Sequence, residues 1–371
     1  MQKKVLISQP HLQIKMRYVA GALILILLVS LAVFFVRKVP GVNQPIPSAI
    51  FSNSASPIKT VFVIVMENHN WSEVTGPDSP YMTQTLVPMG AHAEQYYNPP
   101  DNHPSLPNYL WLEAGTNFGI SEDNDPSVSH QGTTQHLTTL LNQKGVPWKA
   151  YEENISGTEC PLENDGLYGV RHDPFVYFDD VTGNMDAQSS YCMQHVRPYT
   201  ELATDLQNNK VSGYNFITPN TCDDTHDCST AQGDTWLSHE VPTILNSQAY
   251  HNGGAIFITW DEANTGDGPI GMVVLSPLAK KNYSNTIHYT HSSTLRTMEE
   301  IFGVSPFLGD AANATDLSDF FTVPLTASAH PQQSGENSSA SHGSPAQVIP
   351  FSRQRWLGDL PRRAERNVIQ N

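Results

Sequence analysis

From Thr60 to Gln143 the chain contains neither lysine nor arginine. An anion bound by that stretch must be met by a metal ion, by histidines or by backbone dipoles. Charge is sparse throughout: charged residues make up 15% of the 371 residues, and the formal net charge is -16. The six basic residues of the first 38 (Lys3, Lys4, Lys15, Arg17, Arg37, Lys38) have no acid among them, so the remainder carries 14 basic against 36 acidic groups, a balance of -22. A surface of that sign repels nucleic acid and anionic lipid, which argues against a polyanion-binding role. Cysteine is scarce as well, at four, and no Cys-x-x-Cys spacing points to zinc. Cys222 and Cys228 flank a short loop that a disulfide can close, leaving Cys160 for Cys192. Four cysteines allow three connectivities, and sequence does not choose among them.

Long apolar runs are limited to one, Tyr18 to Val36, with basic residues on both sides. It is long enough to span a bilayer core of ~30 Å as a helix. The basic arm before it, 1–17, belongs in the cytoplasm by the positive-inside rule. No small-x-small cleavage site follows, so 18–36 reads as a transmembrane signal anchor, with a cleaved signal peptide as the other reading. Either way the body is expected outside the cytoplasm, membrane-anchored or secreted, where disulfides form. Residues 37–57 read as a linker.

Strand-like and helix-like segments alternate along the rest. Thr60–Met66 is continuously apolar and β-branched, as expected of a strand buried on both faces of a parallel sheet. Helical patterns follow at 105–113 and 134–143, then a strand at Val146–Tyr151, a helix at 199–208 and a strand at Tyr214–Thr218. Trp236–Tyr250 reads as a helix, Ala255–Trp260 and Met272–Leu275 as strands, and Ser292–Phe302 as a closing helix. The expected fold is α/β, a mostly parallel central sheet with helices on both faces, preceded by one transmembrane helix. The catalytic domain is expected at 58–325, with the aperiodic stretch 152–198 as a cap or insertion. Residues 326–371 have the composition of a disordered tail, and their five arginines (Arg353, Arg355, Arg362, Arg363, Arg366) are given no chemistry.

The most informative segment is Asn102-His103-Pro104-Ser105-Leu106-Pro107-Asn108-Tyr109. Proline is tolerated in the first turn of a helix, and an apolar run follows, so Ser105 is expected near a helix N-terminus. Free N–H groups there favour an anion. A serine at such a place is most often only a cap. Acids elsewhere shift the balance toward a nucleophile. In open α/β sheets ligands bind outside the carboxyl ends of the strands. Three strands end in acids or amides: Glu67-Asn68, Asp261-Glu262, and Asn220 followed by Cys222-Asp223-Asp224-Thr225-His226-Asp227-Cys228. Oxygen donors such as Glu67, Asn68, Asp261 and Glu262 suit a divalent ion of the Mg, Mn or Ca type, with Zn less favoured. An ion beside Ser105 would lower the pKa of its hydroxyl. His226 and His291 are placed to donate to phosphate oxygens or to protonate a leaving group. His69, His92, His130 and His136 read as ordinary surface or core residues.

As a set, these pieces resemble the bacterial phosphoesterase family of acid phosphatases and phosphocholine-type phospholipases C, within the alkaline phosphatase superfamily. They are Met66-Glu67-Asn68, the octapeptide 102–109, Phe216-Ile217-Thr218-Pro219-Asn220 with Asp223 to Cys228, Ile258-Thr259-Trp260-Asp261-Glu262, and His291 to Glu299. The resemblance implies an alkaline-phosphatase-like fold. It also implies Glu67, Asn68, Asp261 and Glu262 as metal ligands, Ser105 as ligand and nucleophile, and Asn108 on the phosphate. His103, His226, Asp227 and His291 would surround that phosphate. One divalent ion (Mg, Mn, Ca or Zn) is expected, because Asp261-Glu262 stands where two-zinc members carry an Asp-His pair. The expected function is metal-dependent hydrolysis of phosphate monoesters through a phosphoserine. Alternatives are a phospholipase C-type or other phosphodiesterase, and a catalytically inactive surface binding protein. The absence of further β-domains after the body favours the monoester. Expected partners are a small phosphate ester or phospholipid head group and, through the N-terminal helix, the membrane.

Overall fold

The computed structural model describes residues 56–326. An eight-stranded sheet forms the centre. Its strands are β1 (Thr60–Met66), β2 (Ala91–Ala93), β3 (Trp148–Glu152), β4 (Val196–Pro198), β5 (Tyr214–Thr218), β6 (Gly254–Trp260), β7 (Met272–Leu275) and β8 (Tyr283–Asn285). They lie in the order β4-β3-β5-β1-β6-β7-β2-β8. The run β4 to β6 is parallel throughout. β7 is antiparallel to both its neighbours, because a loop without a crossover helix joins it to β6. β1 and β6 are buried almost from end to end, which explains why their sequences lack the alternation of half-exposed strands.

Helices flank the sheet. α1 (Ser105–Ala114), α2 (Leu137–Lys144) and α5 (His291–Phe302) pack together, and α3 (Leu202–Gln207) packs with α4 (Thr230–Leu245). Gly233 lets α4 close on the loop after β5, since a Cβ there would lie 2.3 Å from the Thr225 methyl. The α/β fold with a largely parallel sheet is as expected. Helix edges shifted by a few residues, and the short strands β2, β4 and β8 carried too little periodicity to be read. Both disulfides join the pairs considered above, Cys160–Cys192 and Cys222–Cys228.

The expected transmembrane helix requires correction. Among the described residues no helix is long and apolar enough to cross a membrane. The longest, α4, has 16 residues, where a span needs about 20. The segment 18–36 itself, like the arm 1–17, most of the linker and the tail beyond 326, lies outside the described residues. Membrane anchoring, the membrane as a partner and an anchored localisation are therefore withdrawn.

Candidate active site

Strand register brings the acids together. Met66 pairs with Trp260 across β1 and β6, so Glu67 and Asp261 leave the sheet side by side. The Asp261 N–H donates to the Met66 carbonyl (2.9 Å) and the Glu67 N–H to the Asp224 carbonyl (2.8 Å). The Thr225 hydroxyl donates to the Glu67 carbonyl at 2.8 Å. Asn68 (φ 32°) and Thr225 (φ 84°) hold left-handed backbone there. For a β-branched residue that conformation is strained, and such strain concentrates at functional sites.

Ser105 is not a helix cap. Pro104 occupies the cap position, Ser105 is the first residue of α1, and its hydroxyl donates to Glu67 Oε2 at 2.9 Å. It is 1% exposed. Pro107 falls in the first turn, where its missing N–H leaves no helical bond unmade, and Gly115 closes the helix in left-handed conformation (φ 68°). Asn108 braces the turn: its amide donates to the Asn102 carbonyl (2.8 Å) and to Glu262 Oε2 (3.0 Å), and its carbonyl accepts from Asn102 (2.8 Å). His103 Nδ1 pairs with Glu262 Oε2 at 2.6 Å, with the ring partly open to solvent. Asn68 donates its backbone N–H to Asp261 Oδ1 and its amide to Glu262 Oε1, each at 3.2 Å.

Several buried polar atoms at this edge have no hydrogen-bond partner: Glu67 Oε1, Asn68 Oδ1, Asp224 Oδ2, Asp261 Oδ2 and both ring nitrogens of His172. Unmet buried atoms of this kind are rare and ask for a ligand. Burial, then the charges of Asp261 and Asp224, pushes the Glu67 carboxyl well above its usual range. Burial and neighbouring Glu262 do the same to Asp261. Burial followed by Asp123 raises Glu262 to about 8, and burial raises Asp224 to about 8. A cation among these groups removes the repulsion, so the donor set fits a divalent metal. Two donor groups share Glu67. One is the oxygen group of Asn68, Ser105, Asp261 and Glu262. The other is a candidate three-ligand metal site of Glu67, His172 and His226, whose donor atoms lie within 4.8 Å of one another. In both histidines a carboxylate stands behind Nδ1: Asp224 Oδ2 at 3.2 Å from His172, and Asp227 Oδ1 at 2.8 Å from His226. At His226 the contact is a hydrogen bond, which orients the ring as a metal-binding imidazole is oriented; at His172 it is not aligned as one.

Of the expected residues, Glu67, Asn68, Ser105, Asp261, Glu262, His103 and Asn108 form one connected group. Asp227 reaches the site only through His226. His291 lies behind Asp261, with Nδ1 on the Tyr96 hydroxyl and Nε2 on the Asp261 carbonyl, and burial lowers it to about 4. It does not open toward Ser105. Asp223 turns away, accepting from Asn220 (2.8 Å) and Gln232 (2.7 Å), and its neighbour Asp224 faces the site instead. Sequence reasoning missed His172, Arg171 and Asp123. The first two sit on the short turn Val170–His172 inside the cap stretch. Their one signal is the triplet Arg171-His172-Asp173 in a stretch pinned by the Cys160–Cys192 disulfide.

A hydroxyl on a helix N-terminus, facing buried acids and histidines at a parallel-sheet edge, defines a hydrolytic enzyme of the α/β class. The phosphoesterase family model matches residues 77–305, and the chain belongs to that family. It is a phosphoric ester hydrolase, related to acid-phosphatase-like members. It is 28% identical over 306 residues to the phosphatidylinositol-3-phosphatase of Mycobacterium tuberculosis, covering 82% of this chain and 94% of that protein. It is also 28% identical over 295 residues to an acid phosphatase of Aspergillus fumigatus, covering 72% of this chain and 62% of that protein. Among solved structures, a lipoteichoic acid synthase from Listeria monocytogenes matches with a TM-score of 0.48 at 10% identity, over 71% of this chain and 77% of that one.

Proposed function

We propose that this enzyme hydrolyses phosphate monoesters by attack of Ser105 on phosphorus, through a phosphoserine that water then cleaves. The observation carrying the reading is the buried Ser105 hydroxyl donating to Glu67 at the N-terminus of α1, beside unpartnered acid and amide oxygens. Glu67, Asn68, Asp261 and Glu262, with Ser105, would hold one divalent ion. Such an ion supplies charge neutralisation and a lowered serine pKa. The protein's own groups do the rest. Glu67 receives the hydroxyl proton's hydrogen bond and fixes the Oγ direction. Asn108, tied to Asn102 and Glu262, keeps the octapeptide rigid. His226, oriented by Asp227, and His103, oriented by Glu262, lie on the open side where a leaving group would take a proton. His291 is a positioning residue behind Asp261. The names of the mycobacterial and fungal relatives support a phosphatase over a phosphodiesterase.

The donor atoms of Glu67, His172 and His226 favour a second reading of the metal position, on the histidine side of Glu67. Ser105→Ala is expected to lower kcat by on the order of 10⁴-fold while metal content is largely retained by the other ligands. Near-native turnover of that variant on p-nitrophenyl phosphate would remove Ser105 as nucleophile. Bis-p-nitrophenyl phosphate and p-nitrophenyl-phosphorylcholine, assayed in parallel, separate monoester from diester cleavage.

A further inference from the structure

We propose that Arg171 binds the phosphate group of the substrate and that Asp123 keeps that seat when no substrate is present. The inference rests on the phosphate-ester hydrolysis proposed above and adds the residues that would recognise the anion. Among the described residues, Arg171 is the one lysine or arginine in contact with a residue of the site. Its Nη2 donates to His226 Nε2 at 3.2 Å, and its Nε lies 3.6 Å from Asp123 Oδ2. The other oxygen of that carboxylate, Asp123 Oδ1, accepts from the Leu106 N–H at 2.9 Å. Leu106 follows Ser105 directly, in the first turn of α1.

The chain's own anion thus has one oxygen on a helix N-terminal amide and the other facing a guanidinium. Those are the contacts that a phosphate oxygen pair makes. The amide beside the nucleophile is also where a donor meets charge developing on a reacting group. The Asp123 side chain is 29% exposed, on the loop that leaves α1 and folds back over the start of the same helix. Rotation of this one side chain frees both the Leu106 N–H and Arg171. A merely structural Arg171, neutralising Asp123 and its neighbours, makes a different forecast for the two partners: loss of either then loosens the site in the same direction.

Inorganic phosphate as a competitive inhibitor of p-nitrophenyl phosphate cleavage separates the two. Arg171→Ala is expected to raise the phosphate inhibition constant and KM by about tenfold or more, with a smaller change in kcat, and Arg171→Lys to recover part of it as a point charge. Asp123→Asn and Asp123→Ala are expected to tighten phosphate inhibition roughly threefold or more, by removing the competing charge. Thermal melts and metal content identify any variant that fails to fold, and the Lys and Asn variants keep the test alive if Arg171→Ala does. Unchanged phosphate inhibition in folded Arg171→Ala, or weaker inhibition in Asp123→Asn, overturns the assignment while leaving the hydrolytic function standing. A wild-type enzyme that cleaves no phosphate ester defeats the function itself, and this assignment with it.

Discussion

His136 and His172 are both buried between two carboxylates, yet only His136 has its hydrogen bonds. His136 places Nδ1 3.0 Å from Glu113 Oε1 and Nε2 2.9 Å from Asp180 Oδ1, and its ring stacks on Phe178 at 3.9 Å between centroids. Burial alone would discharge it, but the bonds to Asp180 and Glu113 outweigh burial and raise it to about 9. His172 lies 3.4 Å from Glu67 Oε1 and 3.2 Å from Asp224 Oδ2, with neither contact aligned as a hydrogen bond. Burial, then Arg171 and His226, pushes it well below its ordinary value. The first histidine is a charged tie between α1, the start of α2 and the cap stretch. The second holds a neutral ring with free nitrogens against free carboxylate oxygens. Similar neighbours give opposite outcomes, and alignment decides which histidine is structure and which is site.

The difference can be broken at its strongest point through Glu67. Glu67→Gln removes the carboxylate common to both donor groups, and kcat/KM is expected to fall by about 10³-fold or more. The melting temperature should stay level or rise in metal-free protein, because an uncompensated buried acid is gone. Steady-state kinetics and a melt in EDTA read both, and a large drop in metal-free stability would mean that Glu67 is structural.

On the other side, His136→Gln should leave turnover per folded molecule near wild type and cost stability. The folded pKa of about 9 lies above the ~6.5 of an unfolded histidine, so protonation contributes on the order of 3 kcal/mol. That contribution is fully present below about pH 6.5 and is lost as pH rises through about 9. Urea unfolding of wild type and variant across this range should show a gap that closes toward alkaline pH. A gap that stays constant would mean that the ring is held neutral.

The same contrast explains what could be read beforehand. The continuous apolar runs of β1 and β6 and the helical period of α5 give the parallel sheet, and the acids directly after the strands follow from chain direction. Glu67, Asn68, Ser105, Asp261 and Glu262 were legible because each sits within one or two residues of a recognisable element end. His136 and His172 were not distinguishable, since alignment is a tertiary property that no local pattern encodes. Asp123 and Arg171 were hidden for the same reason: one lies in a loop that folds back, the other in an aperiodic stretch. The expectation that His291 faces the phosphate rested on its place at the start of the closing helix, and sequence could not show that Tyr96 and the Asp261 carbonyl would occupy both nitrogens.

His172→Ala is expected to weaken metal binding about 100-fold or more, since loss of even a partner that only orients a ligand costs about 10- to 100-fold. Metal-dependent protection against heat should shrink with it, since an ion that binds only the folded state stabilises in proportion to its affinity. Asp261→Asn provides the comparison. Loss of metal in Asp261→Asn alone assigns the ion to the oxygen group, and loss in His172→Ala alone assigns it to the histidine side. Unchanged metal affinity in both variants would refute a metal centre at this edge.

The smallest effects come from the two carboxylates that orient these rings. Asp180 and Asp227 each hold a histidine nitrogen, at 2.9 Å and 2.8 Å, and their side chains are 30% and 55% exposed. The hydrogen bond from His226, then that of Thr221, lowers the Asp227 carboxyl, but solvent screens a group so open. Asp227→Asn keeps an oxygen for His226 Nδ1 and loses only charge, so kcat/KM should fall by no more than about threefold, with the melting temperature unmoved. Asp180→Asn should do the reverse, lowering the melting temperature by a few degrees and leaving kcat/KM alone. If Asp227→Asn instead unfolds the loop, the Cys222–Cys228 disulfide does not suffice to hold His226, and the exposed carboxylate belongs with the structural group around His136.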